Sequence, residues 1–95
     1  MIDDLHLTLK KKWFDMISQN IKLEEYREIK PYWEKRLKKY INYKKPFNII
    51  FRNGYSKLSP VIKKRCAGIR IDNPRPEWSD GVKEKCFVLG ELSDG

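Results

Sequence analysis

Apolar residues alternate with polar ones near the start of the chain. In LHLTLK, Leu5, Leu7 and Leu9 share one face and His6 falls on the other, which is typical of a half-buried strand with an exposed histidine. The next stretch, KKKWFDMISQN, spaces its apolar residues as a helix does, and Asn20 suits a left-handed helix end. A strand and a short amphipathic helix are therefore predicted here.

Alternation returns from Leu23 to Ile29 and brings charges into a strand. It places Glu25 and Arg27 on one face between these two apolar residues, with Lys22 on the opposite face. Burying two charges costs roughly several kcal/mol per ion unless each satisfies the other or a ligand. Two interpretations stay open: a structural ion pair that pins a turn, or the floor of a pocket.

A second helix is predicted from Pro31, because proline fits the first turn of a helix. The stretch PYWEKRLKKYINY carries its basic residues largely on one side, as a solvated helix face does. The opposite stripe, predicted to be buried, consists of Trp33, Leu37, Tyr40 and Ile41.

Three further strands complete the pattern. FNIIFRNG indicates a buried strand that turns at Asn53-Gly54, and two later strands are interrupted by Gly68 and Gly90, where a bulge, bend or close approach is expected. Five strands and two short helices predict an α+β fold built on a small curled or closed mixed sheet. Residues 1–95 are expected to form one domain, because a chain of this length closes a single core.

The charge is strongly positive and unevenly distributed. Residues 1–71 hold 18 Lys and Arg against 7 Asp and Glu, a net +11, whereas residues 72–95 hold 3 against 6, a net −3. Such a field attracts polyanions, with nucleic acid as the first candidate, although a basic surface also serves solubility. The sequence shows no secretory signal and no apolar run long enough for a membrane span, so a cytoplasmic protein without membrane contact is expected.

The two cysteines and the first tryptophan are expected to be structural. Cys66 and Cys86 lie in apolar, strand-like runs, where a buried free thiol is favoured over a disulfide. No zinc site is predicted, because zinc needs about four ligands, and no metal or cofactor is expected. Trp13 is interpreted as a core residue rather than a platform for a ligand.

The segment NIKLEEYRE after the first helix resembles the signature of the ASCH domain, a small module similar to the PUA domain of RNA-modifying proteins. The motif of that family reads Gly-x-Lys-x-x-acid-or-Thr-x-Arg, and Asn20, Lys22, Glu25 and Arg27 occupy its positions here. Asparagine replaces glycine but also tolerates a left-handed backbone. The stretches LTLKKKWFDMI, EIKPYWEKRL, FRNGYSKLSP and KCFVLGEL look like a bacterial or phage subgroup, so the likeness runs from about Leu5 to Leu92.

This resemblance implies that the sheet closes into a small PUA-like mixed β-barrel of about five strands with two short helices, and that a pocket beside it binds RNA or a nucleotide. The residues expected to bind are Lys22, Glu25, Arg27, Tyr26, Tyr32, Arg52, Asn53 and Tyr55. Some relatives resemble ribonucleases or metal-independent amidohydrolases of acylated cytidine, which suggests Lys22, Glu25 and Glu91 as catalytic residues under that alternative. Glu25 stands where the amidohydrolase branch has threonine, so that chemistry does not transfer whole.

Three functions therefore remain open. A binding module for RNA or a nucleotide is favoured, because it needs only the visible charge and motif. A small hydrolase of a modified nucleoside, with Lys22 as base or activator of water, is the alternative. A structural or regulatory protein, in which the motif is an ion-pair brace, is the third.

Overall fold

The computed structural model describes residues 2–95, which form strands, two α-helices and a short 3-10 helix. The predicted α+β class and the two helices are confirmed. In chain order the elements are β1 Leu5–Leu9, α1 Lys11–Ser18, β2 Glu24–Arg27, α2 Pro31–Tyr43, β3 Phe47–Asn53, β4 Val61–Cys66, β5 Ile69–Asp72, the 3-10 helix Pro76–Trp78, β6 Cys86–Gly90 and β7 Leu92–Ser93.

Two sheets organise the strands. One has the order β1-β3-β4-β7 and the other the order β2-β6-β5. β1 and β3 are parallel, with Leu5 opposite Ile49 and Leu9 opposite Asn53. Parallel neighbours need a long crossover, which here consists of α1, β2 and α2. The crossover carries the segment from Lys22 to Arg27 out of the first sheet and into the second.

Two stretches of strand run from one sheet to the other, and each is interrupted near the glycine where the sequence predicted a bulge, bend or close approach. β4 and β5 break at Gly68, and β6 and β7 break just after Gly90. The amide of Gly90 donates to the carbonyl of Gly68 at 3.1 Å, and the amide of Ala67 donates to the carbonyl of Glu91 at 3.0 Å. Each predicted long strand is thus two shorter ones. The pairing leaves two sheets that do not close, so the predicted barrel is not confirmed.

Gly90 is also a point of close approach. A Cβ atom at this position would lie 3.0 Å from Cγ of Glu24 and 3.2 Å from the carbonyl oxygen of Leu23. These distances are shorter than ordinary van der Waals contacts, so a side chain here would push β2 away from β6. The glycine therefore holds the start of β2, and with it the charged segment, against its neighbour.

The core draws on both sheets and both helices. The alternation in β1 buries Leu5, Leu7 and Leu9 and exposes His6, as predicted. The predicted stripe of α2 also faces the core: Leu37 and Tyr40 are buried, and Trp33 and Ile41 pack partly buried against it. Other members of the core cluster are Phe14, Ile17, Phe47, Ile49, Phe51, Cys66, Phe87, Leu89 and Leu92.

The ends of the helices follow local backbone preferences. Asn20 follows α1 with a φ of 61°, the left-handed conformation expected there. α2 begins at Pro31 and ends before Lys44, whose φ is 58°. Within residues 2–95, neither helix combines the length and apolar character needed to cross a bilayer.

Both cysteines are buried and free, as predicted. Burial raises the pKa of the Cys66 thiol to about 11, and it also raises the pKa of Cys86. Both are therefore protonated, unreactive thiols at neutral pH.

Candidate functional site

Three charged side chains meet at the start of the second sheet. Nζ of Lys22 donates to Oε1 of Glu25 at 2.7 Å, and a terminal nitrogen of Arg27 donates to Oε2 of the same carboxylate at 2.7 Å. Arg27 also donates to the carbonyl of Thr8 at 3.2 Å. Lys22 is 1% exposed and Glu25 is 6% exposed. We call Lys22, Glu25 and Arg27 the triad; with both cations protonated and Glu25 ionised, its net charge is +1.

The side chain of Lys22 does not lie on the face that the alternation of the sequence predicted. Alternation placed Lys22 on the face opposite Glu25, which is wrong, because β2 begins only at Glu24. Before it, the amides of Ile21 and Lys22 both donate to the carbonyl of Met16, at 2.9 and 3.1 Å. The loop after α1 therefore sets the direction of the lysine, and it reaches Glu25 from outside the strand.

The predicted strand is also shorter than expected. It ends at Arg27, and Ile29, which was predicted to flank the charged pair, is half-exposed at 40%. Glu24 and Glu25 are both buried although they are adjacent. The buried part of this segment is therefore defined by ion pairs and not by alternating apolar residues.

Aromatic rings surround the two cations of the triad. Nζ of Lys22 lies 5.2 Å from the ring centre of Trp13 and 5.1 Å from that of Tyr26. Cζ of Arg27 lies 4.8 Å from the ring centre of Trp33. These distances allow favourable cation–π contacts, which help to offset the removal of both cations from water.

A second network fixes Tyr26 and Glu24. The Tyr26 hydroxyl donates to Glu24 at 2.7 Å and accepts from the amide of Arg75 at 3.1 Å, and Arg70 donates to Glu24 at 2.7 Å. Burial alone would raise the pKa of Glu24, but the hydrogen bonds from Arg70 and Tyr26 and the charges of Arg70 and Arg75 lower it overall. Burial raises the pKa of Tyr26, so its hydroxyl remains a donor at neutral pH.

A cavity of about 670 Å³ opens beside the triad. Carboxylates, cations and aromatic rings all line it, so it offers hydrogen-bond acceptors, hydrogen-bond donors and stacking surfaces together. We call it the main cavity. Its lining residues include Thr8, Lys10, Lys11, Trp13, Glu25, Tyr26, Arg27, Glu28, Trp33, Asn53, Tyr55 and Asp80.

Two smaller cavities adjoin it. One, of about 200 Å³, reaches Lys22 and shares Glu25, Tyr26 and Arg27 with the main cavity. The other, of about 280 Å³, lies between the start of α2 and the strands β1 and β3, and shares Thr8, Arg27, Trp33 and Tyr55 with the main cavity. We call the latter the arginine cleft. Arg27 borders all three cavities.

The structure brings together most of the residues that the sequence suggested. Lys22, Glu25 and Arg27 form the triad, the ring of Tyr26 lies beside Lys22, and Asn53 and Tyr55 line the main cavity. Tyr32 and Arg52 line the arginine cleft.

Glu91 is not part of this group. It is exposed and lines none of these three cavities. In the pairing of β2 with β6, Glu24 lies opposite Gly90 and Arg27 lies opposite Phe87. Glu91 therefore follows the end of the strand pair that is remote from Arg27. Its expected part in a catalytic set has no geometric support.

Sequence reasoning missed several residues of the site. Trp13 is buried, as expected, yet it also lines the main cavity, and its indole N–H donates to Asp80 at 3.0 Å. Asp80 is 67 positions away along the chain, in a turn-rich connection whose only local signal was the Asp-Gly turn. Arg36 was assigned to a solvated helix face, but it lines the arginine cleft.

A second buried lysine lies elsewhere. Lys64 is 3% exposed, and its Nζ donates to Oδ1 of Asn20 at 2.8 Å and to the carboxylate of Asp94. The Asn20 amide donates to Asp94 at 3.0 Å. The hydrogen bonds from Lys64 and Asn20 lower the pKa of Asp94. Lys64 lines none of the three cavities.

Comparison with protein-family models, curated proteins and solved structures gives no match. The resemblance to ASCH domains therefore stays a prediction, and the site has to be interpreted from its own geometry.

Proposed function

We propose that this chain binds a nucleotide or single-stranded RNA in the main cavity, as a divergent ASCH-like module of the PUA-like class. The observation that carries the proposal is one open volume of about 670 Å³ in which Glu25 and Arg27 of the triad meet aromatic side chains and further carboxylates. Pockets for small ligands commonly measure about 300–1,000 Å³. The main cavity is thus large enough for a nucleoside.

The lining suits the separate parts of a nucleotide. Tyr55 is 93% exposed and borders the main cavity, so its ring is available to a base. Exposed aromatic rings bind unpaired bases by stacking, and carboxylates accept hydrogen bonds from exocyclic amino groups. The excess of positive charge in residues 1–71 favours the approach of a polyanion.

The triad has features beyond those of a structural brace. A brace needs only the bonds between its members, whereas Arg27 also borders three cavities. Its Nε is buried and finds no hydrogen-bond partner among residues 2–95. Leaving a buried donor unpaired lowers stability, so the triad is not arranged for stability alone.

A titration with a fluorescent single-stranded RNA oligonucleotide tests the proposal. We expect binding at low salt that weakens steadily as salt increases, because phosphate contacts release counterions. An absence of binding at low salt, or an affinity independent of salt, would contradict the proposal.

Two exposed residues of one loop give a matched pair of variants. Tyr55→Ala should weaken RNA binding by roughly 1–3 kcal/mol, the usual contribution of one stacked base. Leu58→Ala is the control, because Leu58 is 94% exposed and lines none of the three cavities. Both variants should unfold like the wild type. Equal affinities for the two variants would rule out stacking on Tyr55.

A hydrolase of acylated cytidine remains the second candidate. It is favoured by the contact of 2.7 Å between Lys22 and Glu25 at the border of the cavity of about 200 Å³. Incubation with an acylated cytidine and with RNA tests both hydrolysis and RNA cleavage. Hydrolysis that is lost in Lys22→Met and retained in Lys64→Met would support an enzyme. Equal rates in both variants, or none above background, would exclude Lys22 as a catalyst.

A further inference from the structure

The arginine cleft differs in charge from the main cavity that it adjoins. Glu25, Glu28 and Asp80 all line the main cavity. Among residues 2–95, no carboxylate lines the arginine cleft, which instead contains Arg27, Arg36 and Arg52. The two cavities share Thr8, Arg27, Trp33 and Tyr55, so one ligand can extend from one into the other.

Backbone carbonyls hold two of these arginines in place. Arg36 donates to the carbonyl of His6, and its Cζ lies 5.4 Å from the ring centre of Trp33. Arg52 donates to the carbonyls of Ser56 and Ser59, over longer distances of 3.4 and 3.5 Å. Neutral carbonyls orient a guanidinium without cancelling its charge.

Neither arginine has an ionic partner in the described part of the chain. Among residues 2–95, Arg36 and Arg52 form no ion pair, whereas Arg27 is bonded to Glu25 and Arg70 to Glu24. The positions of the glutamates explain this difference. β2 carries Glu25, which pairs with Arg27, and Glu24, which pairs with Arg70 of β5. No glutamate of α2 or β3 lines the cleft among the described residues. Two oriented guanidinium groups therefore face this cleft with uncompensated charge.

We propose that the arginine cleft takes the phosphate of a nucleotide whose base lies in the main cavity. This inference rests on the proposed function and specifies the ligand as a nucleoside monophosphate unit, either free or within single-stranded RNA. Planar guanidinium groups bind phosphate oxygens through paired N–H donors. The opposite orientation would place the phosphate beside the carboxylates of the main cavity, where like charges repel.

The test compares ligands that differ only in phosphate. Wild-type protein is titrated with the four ribonucleosides and with the 5′-monophosphate of each one. A single-stranded RNA hexamer of mixed sequence is titrated in the same way. We expect at least one monophosphate to bind about tenfold more tightly than its nucleoside, since hydrogen bonds between charged groups are the strong ones.

Two double variants separate the cleft from general electrostatics. Arg36→Gln with Arg52→Gln should reduce the advantage of the phosphate to less than about twofold and leave the nucleoside affinity unchanged. Lys35→Gln with Lys38→Gln removes the same charge from exposed positions of α2 outside the cleft, and should keep the advantage. Arg36→Lys with Arg52→Lys should retain part of it, and the unchanged nucleoside affinity of the glutamine variant shows that its loss is not a failure to fold.

The outcomes distinguish the two proposals. If no nucleoside, monophosphate or hexamer binds, the proposed function fails. If a nucleoside binds and its phosphate adds nothing, or the advantage survives in the arginine variant, only the phosphate site is overturned. Binding of the hexamer alone, weakened by the arginine variant and not by the lysine variant, would support a site for a phosphate within RNA. Equal weakening of hexamer binding by the arginine variant and the lysine variant would overturn the phosphate site.

Discussion

Two buried lysines in this small protein have very different surroundings. Lys22 is 1% exposed and bonds to Glu25, a carboxylate that is itself buried. Lys64 is 3% exposed and bonds to Asn20 and to Asp94, whose side chain is 71% exposed. Aromatic rings and an open cavity adjoin Lys22, whereas Lys64 joins the last residues of the chain to the loop after α1. Burial of a charge alone therefore does not mark a functional site.

The largest effect is expected at Lys22. Lys22→Met keeps most of the volume but leaves Glu25 buried with Arg27 as its only cation, so the free energy of unfolding should fall by about 3 kcal/mol. RNA binding should weaken as well, because Lys22 helps to position Glu25, which lines the main cavity. Urea denaturation measures the first effect and titration with RNA the second. An unchanged free energy of unfolding would show that the ion pair between Lys22 and Glu25 does not stabilise the fold. An unchanged affinity for RNA would favour the interpretation of the triad as a structural brace.

Lys64→Met is the matched control and should have a smaller effect. Its partners Asn20 and Asp94 remain in contact with water, so no charge is left buried, and a loss of about 1 kcal/mol is expected. Binding of RNA should not change, because Lys64 lines none of the three cavities. A loss as large as that of Lys22→Met in the same urea experiment would remove the distinction between the two lysines.

The network of Glu24, Tyr26 and Arg70 gives a pH-dependent test. The pKa of Glu24 is lowered in the folded protein, so its contribution to stability is complete above the unfolded pKa of about 4.3 and is lost as the pH falls through the folded value. Arg70→Met removes a half-exposed partner and should lower the unfolding free energy at pH 7 by about 0.5–1 kcal/mol.

The pH series decides whether that loss is electrostatic. The difference between Arg70→Met and the wild type should shrink as Glu24 becomes protonated, and urea denaturation at pH 7, 4 and 3 follows it. A difference that stays constant across this range would mean that Arg70 acts through packing.

The smallest effect is expected at Asn20. Glycine adopts a φ of 61° without strain but cannot bond to Lys64 and Asp94, so Asn20→Gly should change the unfolding free energy by no more than about 0.5 kcal/mol. RNA affinity should stay the same. Thermal and urea unfolding measure the change, and a large loss would show that the asparagine side chain, rather than the turn, is essential.

Much of the local structure was predictable from the sequence. Alternation identified β1, the helical stripe identified the buried side of α2, and Asn20 and Pro31 marked a helix end and a helix start. Gly68 and Gly90 marked the breaks in the two strands that link the sheets. Each of these features depends on neighbours within a few residues, through backbone preference or the period of the side chains.

The candidate site was predictable only in part, because only some of its contacts depend on neighbours within a few residues. The sequence indicated that Glu25 and Arg27 share a face, because two residues on one strand are related by a fixed period. It placed Lys22 on the wrong side, because the start of β2 is set by hydrogen bonds to Met16. Under the hydrolase alternative it also suggested Glu91, which the register of β2 and β6 places away from Arg27.

By itself, then, the sequence determined the α+β class, the helix and strand segments, the basic charge and the presence of a charged pair in a strand. The tertiary structure decided which carboxylate Lys22 meets, that Trp13 and Asp80 border one cavity, and that Arg36 and Arg52 face one cleft without an acid. The loop after α1 decides the first of these contacts, because it directs Lys22 toward Glu25. The other side chains come from separate segments of the chain, and only packing between those segments brings them together: α2, which carries Arg36, belongs to the crossover between the parallel strands β1 and β3, and β3 carries Arg52.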